Sequence, residues 1–288
     1  MKSFLAVRGM LGAEILQLVE RARGMSDSTV LSGRTVGLLF FEPSTRTRLS
    51  FDMAVRRMGG WPLVFDPEWS SMGKGETIRD TVSTVGAIGA DILVIRSSEE
   101  GLPESAHAWS GLPVINAGDG VNEHPTQALA DAMTLHDRLG TVSGLSVAIV
   151  GDVAHSRVAG SLMHALPALG ANLTLVGPSD LLPADTPWKS SDDLDTVIGE
   201  VDVVYMLRVQ RERGAETEDD YVAKYQLGTM RARRMRPGAV VMHPGPVNRG
   251  VELTNDVADG PRSLILDQVK NGVPARMAVL AAIAEEMS

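Results

Sequence analysis

Ser44-Thr45-Arg46-Thr47-Arg48 sets three hydroxyls and two guanidiniums in consecutive positions, directly after the apolar run Val36 to Phe40 and at the start of a helical pattern. That run is suited to holding an anion. The first N–H groups of a helix lack intrahelical partners and the helix dipole adds partial positive charge. A phosphate there gains backbone, hydroxyl and forked Arg donors together. One Arg and one Ser at a helix start would ordinarily be solvated, whereas an unbroken run of donors behind a buried strand points to a phosphorylated substrate. Three other places carry reactive or charged groups at turns. Arg96 follows the apolar strand Asp91 to Ile95, at the edge where open α/β sheets place ligands. Asn116 to Gln127 joins a strand, a glycine turn and a helix start bearing His124 and Gln127 one turn apart. In the second half, Arg157 stands at a strand-to-helix turn after Gly151, and Arg208 ends a strand just before Gln210.

The elements that must position these groups follow from hydrophobic period. Leu11, Ile15, Leu18, Val19 and Ala22 have amphipathic helical spacing, which predicts an opening helix. Short β-type runs then alternate with helical stretches: 36–40 then 44–58, 63–65 then 76–90, 91–95 then a short helix near Glu104, and 114–116 then 125–139. A second series has strands at 146–150, 173–176, 201–207 and 239–242, with a helix over 156–169 after the first. Alternation of this kind predicts an α/β fold with two doubly wound parallel-sheet domains joined by helices. The expected division is 1–139 and 140–274, with a closing helix over about 275–288, centred on Met277 to Ile283, returning to the first domain. Stretches 178–187 and 209–220 are polar enough to be loops, the second beside Arg208 and suited to a mobile lid.

The chain has 288 residues, 44% hydrophobic, with a formal net charge of −9 and no Cys. Length allows two domains, each with its own core. No apolar run approaches the roughly 20 residues of a membrane span, and the start Met1-Lys2-Ser3-Phe4-Leu5 lacks a signal core, so a cytoplasmic protein is expected. The acidic balance argues against nucleic acid and means that an anion must be held by local cation clusters. Without Cys, thiolate catalysis and Cys-ligated zinc are excluded, and the six scattered His call for no metal. Two nucleotide motifs fail: Gly151 stands alone after its strand, and Gly73-Lys74 lacks both the upstream Gly and the following Ser or Thr of a P-loop. Ser70 to Thr77, taken alone, reads as a solvated loop before a helix.

Phe41-Glu42-Pro43-Ser44-Thr45-Arg46-Thr47-Arg48, Asn116 to Gln127 with His124-Pro125-Thr126-Gln127, His243-Pro244-Gly245-Pro246 and Asn271 to Ala278 together resemble the aspartate/ornithine carbamoyltransferase family. The resemblance runs from the opening helix to the last, and it implies an active site in the cleft between the two domains. Pro-Thr-Gln and His-Pro-Gly-Pro match its aspartate branch, where the ornithine branch usually has Pro-Cys-Gln and His-Cys-Leu-Pro. It implies that Ser44, Thr45, Arg46, Thr47, Ser70 and Lys74 hold the phosphate of carbamoyl phosphate. Thr47, Arg96 and His124 would stabilise its carbonyl oxygen. Gln127 and the carbonyls of Gly245 and Pro246 would receive its NH2, and Arg157, Arg208, Gln210 and Lys74 would bind aspartate. Two cationic anchors suit a dicarboxylate, while ornithine would need an acidic partner. Ser97 and Glu123 depart from the His and Gln common in the family.

By that resemblance the chain transfers a carbamoyl group to the amino group of L-aspartate, giving N-carbamoyl-L-aspartate and phosphate in de novo pyrimidine (UMP) biosynthesis, with no cofactor. The loop bearing Ser70 and Lys74 implies sites shared between neighbours in a catalytic homotrimer, with association with a regulatory chain or a dihydroorotase left open. Three other readings rank below it: a carbamoyltransferase with another acceptor, a silent scaffold homologue, and a non-catalytic anion binder.

Overall fold

The computed structural model describes residues 1–209 and 218–287. The first half contains α1 (Gly12–Arg23), β1 (Thr35–Phe40), α2 (Thr45–Arg57), β2 (Trp61–Phe65), α3 (Ile78–Ile88), β3 (Ile92–Ser97), α4 (Leu102–Ser110), β4 (Val114–Asp119) and α5 (Pro125–Leu139). The second contains β5 (Ser146–Val150), α6 (Arg157–Ala168), β6 (Asn172–Val176), β7 (Lys189–Ser191), β8 (Val203–Met206), α7 (Glu218–Tyr225), α8 (Thr229–Arg234), β9 (Val240–Met242), α9 (Asn255–Ala258) and α10 (Ile265–Glu286). Two parallel sheets result, ordered β2-β1-β3-β4 and β7-β6-β5-β8-β9.

Strands buried on both faces explain the continuous apolar runs. Along β1, Leu38 packs into a central core between the sheets while Leu39 faces an outer one; Val94 and Ile95 on β3 divide likewise. On β5, Val147 and Ile149 join the central core, and Ala148 and Val150 join the outer core of the second sheet. Helices α1, α2 and α5 all pack against α10, and α5 also meets α6. Two glycines allow close backbone approach across this frame. A Cβ on Gly160 would lie 2.0 Å from the Asn122 carbonyl oxygen, and one on Gly12 would lie 2.0 Å from that of Ala168.

Several expected boundaries move. Leu11 is 69% exposed because it precedes α1, its N–H bonded by the Glu14 carboxylate at 2.8 Å. The closing helix begins at Ile265, well before 275, and carries Pro274 inside it. Asn271, Gly272 and Pro274 read as helix breakers, but the Asn271 amide donates to Thr134 Oγ1 at 3.1 Å, and Arg276 Nη1 donates to the Gly272 carbonyl at 2.8 Å. Packing overrides propensity there. Of the two stretches expected as loops, the first holds a 3-10 turn at Ser179–Leu181, and in the second α7 already starts at Glu218 while 210–217 lie outside the described residues.

Candidate active site

Each sheet reverses its strand order at one point, and the residues expected to form the site gather at both reversals. In the first sheet the point falls between β1 and β3, where Phe40 pairs with Arg96. In the second it falls between β5 and β8, where Val150 pairs with Met206. Chain leaving β1 turns through Glu42 and Pro43 into α2. Ser44 is thus the residue before the helix and Thr45, Arg46 and Thr47 form its first turn. Arg96 lies within β3 rather than after it, near the strand's C-terminal end. His124 immediately precedes α5, Arg157 opens α6, and Arg208 follows β8.

These segments enclose a cleft of about 1070 Å³ lined from both sheets. Ser44, Thr45, Arg46, Thr47, Arg96, His124 and Gln127 face it from the first half, with Arg157, Arg208, Gly245 and Pro246 from the second. Ser70 and Lys74 are not among the lining residues; they sit in the 3-10 turns Pro67–Trp69 and Ser71–Lys74 and their flanks. Gln210 lies outside the described residues.

Electrostatics within the cleft centre on Glu42, which the residue pattern did not single out. Its Oε1 accepts Arg96 Nε at 2.7 Å and Arg157 Nη1 at 2.6 Å, and its Oε2 accepts Arg157 Nη2 at 3.3 Å. Arg96 Nη1 also donates to the Ala117 carbonyl at 3.2 Å, and Arg157 Nη1 to that of Ser97 at 3.3 Å. Burial and the neighbouring Arg157 lower the Arg96 pKa, against which Glu42 raises it. Gly118, at φ 120°, leaves room for both guanidiniums: a Cβ there would stand 3.1 Å from Arg157 Nη1 and 3.2 Å from Arg96 Nη1.

His124 is buried, its Nε2 3.4 Å from Thr47 Oγ1. Burial, then the charges of Arg96, Arg276 and Arg157, hold its pKa well below 6.5, so the imidazole is neutral at neutral pH. Its backbone N–H donates to Ser161 Oγ at 2.8 Å, and Ser161 Oγ donates to Glu123 Oε2 at 3.0 Å. Glu123 further accepts the Val7 N–H at 2.8 Å, which makes this departure from the family pattern a buried tie between the chain start, α5 and α6. Ser97, the other departure, offers its carbonyl to Arg157 and its hydroxyl to the Glu99 N–H at 2.8 Å.

On the far wall, His243 Nδ1 accepts the Gly245 N–H at 2.8 Å. Glu252, fully buried, accepts Asn248 N–H at 2.6 Å and Val209 N–H at 2.9 Å, joining the loop after β9 to the residue beside Arg208. Sequence reasoning missed Glu252; as an isolated acid ten residues beyond β9 it carries no local signal.

Two walls carrying Arg, Ser, Thr and His side chains face one cleft at paired switch points, which defines an α/β protein of two parallel sheets with a shared, cation-lined cleft. Residues 2–137 match the family model for the aspartate/ornithine carbamoyltransferase carbamoyl-P binding domain, and 143–283 match that for the Asp/Orn binding domain. The chain belongs to the aspartate/ornithine carbamoyltransferase family. It is 50% identical over 260 residues to the aspartate carbamoyltransferase catalytic subunit of Salinispora tropica, covering 87% of this chain and 84% of that one. It is 45% identical over 292 residues to the catalytic subunit of Thermus aquaticus, covering 97% of each. Aspartate transcarbamoylase from Trypanosoma cruzi in complex with carbamoyl phosphate superposes with a TM-score of 0.90 at 33% identity, over 98% of this chain and 95% of that one. A crystal structure of the same enzyme with N-(phosphonacetyl)-L-aspartic acid gives a TM-score of 0.88.

Proposed function

We propose that the chain is an aspartate carbamoyltransferase that moves the carbamoyl group of carbamoyl phosphate onto the amino group of L-aspartate, yielding N-carbamoyl-L-aspartate and phosphate for pyrimidine synthesis. The observation that carries this reading is the single cleft that gathers the phosphate-type donors of α2 opposite Arg157 and Arg208. Ser44, Thr45, Arg46 and Thr47 hold the phosphate on N–H groups, hydroxyls and a guanidinium. Arg157 and Arg208 take the carboxylates of aspartate, with Gln210 beside them. The neutral α-amino group attacks the carbonyl carbon; negative charge grows on oxygen, where Thr47, Arg96 and neutral His124 donate. Gln127 and the carbonyls of Gly245 and Pro246 take the NH2. The C–O bond to phosphate then breaks, phosphate leaves with the electron pair, and the proton shed by the attacking nitrogen passes to the departing phosphate. Holding the two anions face to face supplies up to about 7–11 kcal/mol and one oxyanion donor roughly 3.

The domain division at 139/140 and a catalytic homotrimer belong to the same proposal. The trimer draws support from the turns carrying Ser70 and Lys74, which lie away from this chain's own cleft lining while the adjoining stretch exposes Trp61, Val64 and Trp69. Exposed apolar groups of that size mark contact surfaces. Ser70 and Lys74 would then complete a neighbour's site. No helix among the described residues is long and apolar enough to cross a membrane, and a cytoplasmic location is proposed with the pathway.

The deciding experiment follows phosphate release from carbamoyl phosphate with L-aspartate and L-ornithine in parallel, corrected for spontaneous breakdown. Turnover with aspartate alone supports the reading. Turnover with ornithine alone overturns the carboxylate-anchor argument, and turnover with neither overturns the activity.

A further inference from the structure

Asp131, one helical turn beyond Gln127 on α5, is a fully buried carboxylate that none of the steps above uses. Its Oδ1 accepts Gln127 Nε2 and Gln268 Nε2, each at 2.8 Å, and its Oδ2 accepts the Tyr205 hydroxyl at 2.7 Å. The other end of Gln268, Oε1, accepts the His243 N–H at 2.9 Å. One carboxylate thus ties the Gln127 side chain to the strand end from which the Gly245–Pro246 loop departs.

An ionised carboxylate only accepts hydrogen bonds. Facing it, Gln127 must turn its NH2 inward, which leaves the carbonyl oxygen Oε1 for the cleft that Gln127 lines. An amide at position 131 could satisfy Gln127 in either orientation; a carboxylate permits one. Arg46, Thr47, Arg96 and His124 bring donors to the same cleft. A fixed side-chain acceptor at Gln127, joined with the carbonyls of Gly245 and Pro246, sorts ligands by whether they bring an N–H to that spot.

We infer that Asp131 is a positioning residue for substrate choice, fixing the Gln127 amide so that the cleft prefers an acyl phosphate carrying NH2 to its isostere carrying methyl. The identity of the preferred ligand rests on the carbamoyl phosphate reading above. Burial pushes Asp131 up to about 6, against hydrogen bonds from Gln268, Tyr205 and Gln127 and the charge of Arg276, so the acceptor form predominates at neutral pH.

The test compares the wild-type enzyme, Tyr205→Phe, and Asp131→Leu combined with Tyr205→Phe, through the KM for carbamoyl phosphate and the inhibition constants of acetyl phosphate and inorganic phosphate. The double variant removes the carboxylate together with the hydroxyl facing it, which limits unpaired buried groups. With no acceptor left at position 131, the Gln127 amide is no longer held with its NH2 inward and can turn that NH2 toward the cleft. Preference for carbamoyl over acetyl phosphate falls about tenfold in the double variant, with inorganic phosphate bound as before, and stays unchanged in Tyr205→Phe. An unchanged preference in the double variant, an equal fall in Tyr205→Phe, or equal weakening of all three ligands overturns the inference.

Should the double variant not fold, hydrogen exchange of the Gln127 side-chain NH2 in the wild-type protein decides, its signal assigned by its loss in Gln127→Met. Slow exchange with and without carbamoyl phosphate is expected, and rapid exchange in the free protein overturns the inward orientation. A wild-type enzyme without carbamoyl transfer to aspartate would sink the functional reading instead, and the exchange measurement would still decide the role of Asp131.

Discussion

Glu42, just beyond β1, and Arg157, the first residue of α6, are joined by a 2.6 Å bond across the cleft although 115 positions separate them in the chain. The same carboxylate oxygen holds Arg96. Two guanidiniums proposed to meet substrate are therefore pre-set by one acid, and like charges that would repel are kept side by side.

Replacing that acid tests the clamp. Glu42, Arg96 and Arg157 side chains are 18%, 17% and 18% exposed, so the pairs are largely shielded from solvent. Glu42→Gln keeps the shape but loses the charge and one acceptor, and should destabilise the protein by about 1–3 kcal/mol in urea unfolding. Turnover should fall about tenfold as Arg157 loses its setting. Unchanged unfolding and kcat together would make the clamp incidental.

Arg46 should matter for chemistry and little for folding. It lies in the first turn of α2, where its guanidinium faces the cleft rather than the core. Arg46→Ala is expected to lower kcat by about 100-fold or more, the scale of losing one transition-state donor, with Tm nearly unchanged. A folded variant with near-normal kcat would remove Arg46 from the mechanism.

Gly245 is the seat of that Arg from the opposite wall. Its φ is 68°, a conformation that favours glycine, and a Cβ there would come within 2.7 Å of Arg46 Cζ. Gly245→Ala should raise the KM for carbamoyl phosphate about tenfold by displacing the guanidinium. In an Arg46→Ala background the same substitution should add little, because the clash is gone. Full additivity in that cycle would show that Gly245 acts through its backbone alone.

Much of the frame was legible because strands buried on both faces leave dense apolar runs. Ser146 to Val150 and Pro125 to Leu139 match their observed bounds. The phosphate-type donors were legible because they are contiguous. Groups that act across the chain were not. Glu42 stood within the quoted motif, yet nothing local shows that it reaches α6. Glu123 shows in the sequence only as a departure from the family pattern, because its partners Val7 and Ser161 lie far from it in the chain. Asp131 falls inside a regular helix, where an acid ordinarily reads as part of a solvated face, and its three donors come from α5, β8 and α10. The length of α10 was hidden by Asn271, Gly272 and Pro274, whose local preference yields to tertiary packing.

The pH dependence should separate Asp131 from His124. His124 is held well below 6.5 by burial and the nearby Arg charges, so it stays neutral through the working range and gives no limb near its usual value. Asp131 titrates at about 6 in the folded chain, against 3.8 as its ordinary value. Protonated, it can no longer accept from Gln127, Gln268 and Tyr205 together, so kcat/KM for carbamoyl phosphate should fall as pH drops through about 6. Stability moves the other way. Between pH 3.8 and about 6 the native state binds the extra proton, so this group's contribution falls as pH rises across that window. The full change is about 3 kcal/mol, set by the gap between the two pKa values. The Tyr205 hydroxyl is one of the groups that lower the Asp131 pKa, so the difference in unfolding free energy between Tyr205→Phe alone and Tyr205→Phe with Asp131→Leu should shift toward the double variant by at least about 2 kcal/mol from pH 4 to 7. A pH-independent difference, with the activity limb retained in the double variant, would assign the limb to another group.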